Sequence, residues 1–255
     1  MSDIYIYKYA YSSNQKVLSS WSKFTFKGII RSIRFFKSTL YAITVYNGKV
    51  AVEKIPLEEG VSDVEGFITH LDKRIKRNVA ANNSTIVLPY VPKTDDVIQV
   101  YTTDGLLLAS TRVGSEITLT TAPTENTDVY VGFPYTMKYT FSEQLFKAKA
   151  GNGKSPSNAA KMMIKNGSLY FDKSAYFKVK VTPQFRDTYT NIFTPDVVGS
   201  STLGSLSLDS GFYRFPVFTK PQDTTITIEN ESALPSTFQS AEFESFVHSR
   251  SNRYG

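Results

Sequence analysis

The sequence contains no cysteine and only two histidines among its 255 residues. A chain without cysteine has no disulfide framework, no thiolate nucleophile and no cysteine-based metal site, so packing or assembly must stabilise it. The histidines, His70 and His248, are far apart in the chain and neither has the spacing of metal ligands. Zinc ribbons and cysteine proteases are therefore excluded, and we expect no metal and no cofactor.

Long hydrophobic runs are also absent, since no stretch approaches the roughly 18 consecutive apolar residues of a membrane-spanning helix. The start, Met1-Ser2-Asp3 followed by alternating Ile and Tyr, lacks the basic and apolar regions of a secretory signal. With 41% hydrophobic and 20% charged residues, the composition is typical of a folded globular protein. We expect neither classical secretion nor stable membrane insertion.

Acidic residues are scarce in two parts of the chain. Residues 1–37 contain seven Lys or Arg and one Asp, and residues 138–186 contain ten Lys or Arg and two acidic residues. The acidic stretches 81–137 and 187–255 offset the second block, which leaves a net charge of +6. The positive charge is thus concentrated in blocks, a pattern found in nucleic-acid-binding surfaces and in complementary protein interfaces.

Helical spacing of apolar residues is rare, and the dominant period is two, as in β-strands. The clearest local signal is Asn47-Gly48 between two runs of β-branched and aromatic residues. This pair predicts a type I′ hairpin turn, because both central residues of that turn need positive φ. Asp104-Gly105 predicts a second hairpin. Local helix signals occur only at residues 155–163 and 240–249.

These patterns predict an all-β fold of antiparallel meanders and hairpins, with partial β-propeller blades plus β-sandwich or barrel modules. Breaks in the pattern divide the chain into three parts. Residues 1–57 form a propeller-blade-like β-meander, residues 58–137 a second β module, and residues 138–255 a C-terminal β region with a basic loop at 147–158.

Residues 148–155, Ala-Lys-Ala-Gly-Asn-Gly-Lys-Ser, loosely match a phosphate-binding loop if Ala148 stands for the first glycine. Such a loop needs a parallel βαβ unit, whereas the surrounding sequence has antiparallel character and Pro156 stiffens the expected helix start. A flexible basic loop is the favoured interpretation. Neither this segment nor the scattered carboxylates indicate a catalytic site, so we do not expect an enzyme.

Basic and aromatic residues interleave between residues 8 and 37, around the single tryptophan, Trp21. Three interpretations are open: a stacking platform for single-stranded nucleic acid, the solvent face of half-buried strands, or charge at a protein interface. The candidate interface or channel charges are Lys27, Arg31, Arg34, Lys37, Lys147, Lys149 and Lys154.

The C-terminal part of the sequence is distinctive. Residues 226–246 include Leu234-Pro235 and Ser240-Ala241-Glu242-Phe243, and they are followed by Arg250 and Arg253. Further motifs occur in order along the chain: Ser20-Trp21-Ser22, His70-Leu71-Asp72-Lys73-Arg74, Val131-Gly132-Phe133-Pro134-Tyr135 and Gly211-Phe212-Tyr213-Arg214-Phe215-Pro216. Together they resemble the C-terminal part of the tail nozzle proteins of short-tailed bacteriophages, the tail tubular protein B family.

The resemblance implies a structural virion protein without catalytic residues, whose copies form a ring of six subunits in the phage tail. This ring encloses the channel for ejection of double-stranded DNA, below an adaptor of the tail tubular protein A type and in contact with tail fibres. The resemblance also makes residues 161–170 a strand. In such a subunit, the charge blocks are interpreted as complementary subunit contacts, with the acidic stretches as their counterparts.

A second functional class stays open from the sequence. A β-rich virion module could bind a carbohydrate or a receptor, with its tyrosines and the single Trp21 as an exposed platform that stacks on sugars. Ring formation would favour the nozzle interpretation, and a response of Trp21 to glycans would favour the binding module.

Overall fold

The computed structural model describes residues 2–12, 15–57, 69–150, 153–156, 160–195 and 206–249. Within these ranges the strands pair antiparallel, and the helical structure consists of one 3₁₀ turn at Pro221–Asp223. The prediction of an all-β, antiparallel fold is confirmed. The sheets of the described ranges are open, and none of them closes into a barrel. In the same ranges, no helix has the length and apolar character needed to cross a membrane.

The chain divides into two compact units. The first comprises residues 1–67 and 71–134, and the second comprises residues 68–70 and 135–255. The three-part division expected from the sequence stays a prediction, and its first boundary falls in residues 58–68, which lie outside the described residues.

The first unit contains a two-stranded ribbon and three small sheets. Its described strands are β1 (Ser2–Ser12), β2 (Gln15–Phe26), β3 (Ile29–Phe36), β4 (Thr39–Tyr46), β5 (Lys49–Pro56), β6 (Asp72–Val79), β7 (Thr85–Val87), β8 (Gln99–Thr102), β9 (Leu107–Leu108), β10 (Ser110–Val113), β11 (Glu116–Leu119) and β12 (Thr127–Phe133). The ribbon is β1-β2, and the sheets have the strand orders β3-β4-β5, β6-β12-β8-β9 and β10-β11-β7.

Turn residues position the hairpins of this unit as the sequence predicts. The β4–β5 hairpin turns at Asn47 and Gly48, whose φ angles are +48° and +75°. Both angles are positive, as a type I′ turn requires, so this prediction is confirmed. The hairpin expected at Asp104-Gly105 is confirmed too, because it joins β8 to β9 with φ of +84° at Gly105.

Two sheets of the first unit pack face to face as a small sandwich. Strand β11 shows the alternation that this packing needs: Ile117 and Leu119 are buried, whereas Glu116 and Thr118 are exposed. The core between the sheets contains Val79, Ile86, Leu88, Val100, Ile117, Leu119, Val129 and Val131.

The second unit is a larger sandwich. Its described strands are β13 (Met137–Thr140), β14 (Lys147–Ala150), β15 (Gly153–Pro156), β16 (Ala160–Ser174), β17 (Phe177–Pro183), β18 (Tyr189–Phe193), β19 (Asp209–Thr219), β20 (Thr224–Asn230) and β21 (Thr237–Ser249). The sheets β13-β20-β17-β18 and β19-β16-β21 enclose an aromatic core, and β14-β15 form a separate hairpin.

A glycine in the middle of the long strand β16 makes room for a core ring. Gly167 lies opposite Phe215 of β19, and a Cβ atom on Gly167 would lie 2.2 Å from the Cζ atom of Phe215. Phe215 is fully buried. The absence of a side chain at residue 167 therefore lets the ring pack directly on the neighbouring backbone.

One local helix signal is overridden in the second unit. Residues 240–249, expected to form one or two helical turns, belong to β21, which pairs with β16 along most of its length. Continuous cross-strand pairing and the partial burial of Phe238, Ala241 and Phe243 outweigh the local signal. The strand that the family resemblance implies at residues 161–170 is confirmed as part of β16.

The basic loop predicted at residues 147–158 is wrong for most of its length, because β14 and β15 form an antiparallel hairpin. Residues 151–152 and 157–158 lie outside the described residues. A phosphate-binding loop leads from a strand into a helix, so this hairpin also argues against the phosphate-loop interpretation of residues 148–155.

Candidate interaction surfaces

The structure separates the predicted interface charges into two groups. Lys27, Arg31, Arg34 and Lys37 lie in β3 or in its flanking turns, in the first unit. Lys147, Lys149 and Lys154 lie in the β14–β15 hairpin of the second unit, where Lys149 and Lys154 are directly opposite each other.

The side chain of Lys27 forms its contacts within the first unit. Its ammonium lies 2.7 Å from the Asp96 carboxylate and 4.4 Å from the centre of the Phe133 ring. Tyr46 donates a hydrogen bond to the other oxygen of Asp96. Burial raises the pKa of Asp96, but the hydrogen bonds from Lys27 and Tyr46 outweigh it and hold that pKa below its ordinary value. We therefore assign Lys27 a stabilising role within its own unit.

A second polar cluster joins β4, β5 and β6. Lys73 pairs with Glu53, and Thr44 donates a hydrogen bond to the same carboxylate. The Asp72 carboxyl group is largely buried beside this cluster, and burial together with the charge of Glu53 raises its pKa to about 6. These contacts lie on the inner side of sheet β3-β4-β5, where they link it to β6.

The outer side of that sheet is an exposed apolar surface. In β4, Leu40, Ala42, Thr44 and Tyr46 are buried, so Ile43 and its alternate neighbours point to the opposite side. The cross-strand register brings residues of β3 and β5 onto the same side. We call this surface the basic aliphatic face; it consists of Ile29, Arg34, Ile43, Val50, Val52 and Lys54.

The exposure of this face is high for aliphatic side chains. Val50 and Val52 are 70% and 69% exposed, and Ile29 and Ile43 are more than 40% exposed. Phe36, at the end of β3, is exposed on the same side. Within the described residues, β3 and β5 each pair with β4 alone, so both edges of the sheet are open as well.

Val50 and Val52 are not among the candidates expected from the sequence. A signal was available, because residues 40–46 are mostly apolar at both strand parities and residues 50–52 form a short apolar run, a pattern typical of strands covered on both faces. Here only one face is covered by described residues.

A second exposed surface lies on the β1–β2 ribbon. Alternate residues of β1 place four tyrosines on one side, and the register places Trp21 of β2 opposite Tyr7. The ring centroids of Tyr7 and Trp21 are 4.8 Å apart. We call this surface the tyrosine ladder; it consists of Tyr5, Tyr7, Tyr9, Tyr11 and Trp21.

In the second unit, three lysines of the basic block pair closely with glutamates of the same unit. Lys180 lies 2.6 Å from Glu229, Lys178 lies 2.6 Å from Glu231, and Lys165 lies 3.1 Å from Glu244. These glutamates belong to the acidic stretch 187–255, so for these three lysines the contact between the two stretches lies within one chain. These lysines are not free to form the complementary subunit contacts expected from the sequence.

The two histidines have structural surroundings. The backbone amide of His70 donates a hydrogen bond to the carbonyl of Ala233, and His248 lies exposed in β21. The described residues contain no group of three or more His, Asp or Glu side chains arranged to hold a metal ion.

Comparison with known proteins identifies the family of this chain. The family model of the bacteriophage nozzle protein matches residues 1–254. The chain is also similar to tail tubular protein gp12 of Escherichia phage T7, with 23% identity over 266 aligned residues. That similarity covers 92% of this chain and 32% of the T7 protein, so the chain spans about a third of the length of its relative. The chain therefore belongs to the bacteriophage nozzle protein family.

Proposed function

We propose that this chain is a structural subunit of a bacteriophage tail nozzle. Copies assemble in the virion tail into a ring of six subunits, and the axial channel of this ring conducts double-stranded DNA during ejection. The observation that carries the proposal is the match of the nozzle family over residues 1–254. The role is structural and involves no catalytic step.

The basic aliphatic face supports self-association. Monomeric proteins rarely expose a contiguous apolar patch of this kind, and such patches mark interaction surfaces. In a ring, each subunit contacts its neighbour head to tail, so this face would meet a different surface on the next copy. Arg31, Arg34 and Lys37 lie in or next to β3, where they would supply charge at the rim of that contact.

The remaining partners follow from the same proposal. The ring contacts a tail adaptor of the tail tubular protein A type and tail fibres, and it meets DNA only in transit. A channel that lets DNA slide should offer few strong phosphate contacts, because each one adds salt-dependent affinity. The internal pairing of Lys165, Lys178 and Lys180 with glutamates is consistent with this requirement.

Negative-stain imaging tests the proposal. We expect the chain, co-expressed with the neighbouring tail proteins, to form rings with six-fold symmetry and an axial channel. An antibody raised against the chain should label the tails of virions. Samples without rings, together with unlabelled tails, would contradict the nozzle assignment.

A further inference from the structure

We propose that the tyrosine ladder binds a neutral, linear polysaccharide by stacking its rings on the sugar units. The proposal adds a binding activity to the structural role. The geometry of the ladder, its anchoring and its charge support this binding activity.

The rings of Tyr7, Tyr9 and Tyr11 contact one another in a row along β1. The ring centroids of Tyr7 and Tyr9 are 5.7 Å apart, and those of Tyr9 and Tyr11 are 6.0 Å apart. Trp21 extends the row sideways, 4.8 Å from Tyr7. A repeat of this kind along a ribbon suits a polymer of ring-shaped units better than one small molecule.

The ribbon presents the ladder to solvent because its opposite side is anchored in the first unit. Ile4, on that side, is buried, and the Ser2 hydroxyl accepts a hydrogen bond from the Ile30 amide at 3.2 Å. On the ladder side, Trp21 is 69% exposed, and Tyr5, Tyr9 and Tyr11 are each more than 60% exposed.

The register places two lysines on the ladder side, Lys23 opposite Tyr5 and Lys16 opposite Tyr11, and the side chain of Lys16 lies outside the described residues. The ammonium of Lys23 lies 2.9 Å from the Asp3 carboxylate, which also accepts a hydrogen bond from Thr25 at 2.7 Å. Lys8 lies on the other side of the ribbon, since its position has the opposite parity. Single-stranded nucleic acid needs several cations along the row of rings to bind its phosphates, and the described cation of this side, Lys23, is paired with a carboxylate, which favours a neutral ligand.

The chemistry of tyrosine suits a polyhydroxylated ligand. The face of each ring carries partial negative charge that attracts polarised C–H groups, and each hydroxyl can donate or accept a hydrogen bond. Contacts between neighbouring rings, and the 2.9 Å hydrogen bond between the Tyr7 and Ser19 hydroxyls, hold the side chains in place before binding. Little rotamer freedom is then lost when a sugar chain stacks on the ladder.

Trp21 is the single tryptophan of the chain, so its fluorescence reports directly on the ladder. The probes are cellohexaose, maltohexaose and chitohexaose as neutral chains, and polygalacturonate and a thymidine dodecamer as polyanions. We expect saturable quenching by at least one neutral chain. Tyr9→Ala should weaken that binding about tenfold or more, and Tyr9→Phe should retain most of it because the ring is kept.

A matched control is Phe185→Ala, because Phe185 is an 80% exposed aromatic residue in the second unit. It should leave glycan affinity unchanged, and circular dichroism should show that each variant is folded.

The proposal would be overturned if none of the three neutral chains quenched the fluorescence of Trp21 and if no glycan of a broader array bound the protein. Quenching by the dodecamer alone, or quenching that grows with protein concentration without ligand, would overturn it in favour of nucleic acid or of a second copy. Rings that form but bind no glycan would refute this inference and leave the nozzle function standing.

Discussion

The Lys27 ammonium forms a 2.7 Å ion pair with Asp96, and both side chains are largely buried, with 24% and 14% of their surfaces exposed. This pair ties the turn before β3 to the loop before β8. Lys27 belongs to the basic block of residues 1–37, and its ammonium also contacts the Phe133 ring. This cation therefore stabilises the first unit.

Removing Asp96 should destabilise the first unit. In Asp96→Ala, Lys27 loses its partner while it stays partly buried, which costs about 1–3 kcal/mol of unfolding free energy. Urea unfolding at neutral pH measures this change. Asp3→Ala breaks the exposed pair with Lys23 and should have little effect. Equal effects of the two substitutions would argue against the structural role of Lys27.

Asp72 should make stability depend on pH. Burial and the charge of Glu53 raise its pKa from 3.8 to about 6, while Lys27 and Lys73 lower it. A raised pKa means that the folded state binds the proton more tightly than the unfolded state. The stabilising contribution of this group is therefore complete below about pH 4 and is lost as the pH rises through about 6.

Asp72→Asn should remove this dependence and stabilise the unit by roughly 3 kcal/mol at pH 8, because no buried charge forms. Urea unfolding at a series of pH values measures both effects. The exposed Asp95 provides the control, since Asp95→Asn should keep the wild-type pH profile. Parallel profiles for Asp72→Asn and the wild type would disprove the prediction.

Gly167 and Gly211 lie in adjacent strands of one sheet but have different surroundings. A Cβ atom at Gly167 would lie 2.2 Å from Phe215, whereas nothing lies within 4 Å of one at Gly211. Gly167→Ala should thus cost about 1–3 kcal/mol by displacing a core ring, and Gly211→Ala should change stability little. Thermal and urea unfolding compare the two variants, and a neutral Gly167→Ala would show that the core can shift at low cost.

The basic aliphatic face should be needed for assembly but not for folding. Val50→Asp puts a charge on an exposed residue, so we expect the unfolding free energy to change by less than about 0.5 kcal/mol. Rings of subunits should no longer form, because the new carboxylate would lose its hydration in the contact between subunits. Val113→Asp is the matched control, since Val113 is 83% exposed on the separate sheet β10-β11-β7. Normal ring yields for Val50→Asp in analytical ultracentrifugation would exclude this face from the interface.

The arginines of β3 should contribute a salt-sensitive part of assembly. Arg34→Glu should weaken association at low ionic strength, and the difference from wild type should shrink in about 1 M salt, where charges are screened over roughly 3 Å. Sedimentation at both salt concentrations measures the effect. Assembly that is insensitive to salt in both proteins would mean that the basic block does not contribute to subunit contacts.

Local sequence signals predicted those features that depend on neighbouring residues. Asn47-Gly48 determines a type I′ turn because few other pairs adopt two positive φ angles, and the structure has that turn. The tyrosines of β1 share a face because strand geometry has a period of two. The helix signal at residues 240–249 failed, since pairing with the distant strand β16 contributes more than local propensity.

The sequence by itself determined that this chain is built of antiparallel strands, that it lacks cysteine chemistry, and that it resembles the nozzle family. Only the tertiary structure decided which charges are free. Lys27 and Lys180 look like surface cations in the sequence, yet each meets a carboxylate that is distant in the chain. Val50 and Val52 look like core residues, yet they are exposed. The physical reason is that burial and ion pairing depend on which strands meet across a sheet, and that register is set by long-range packing.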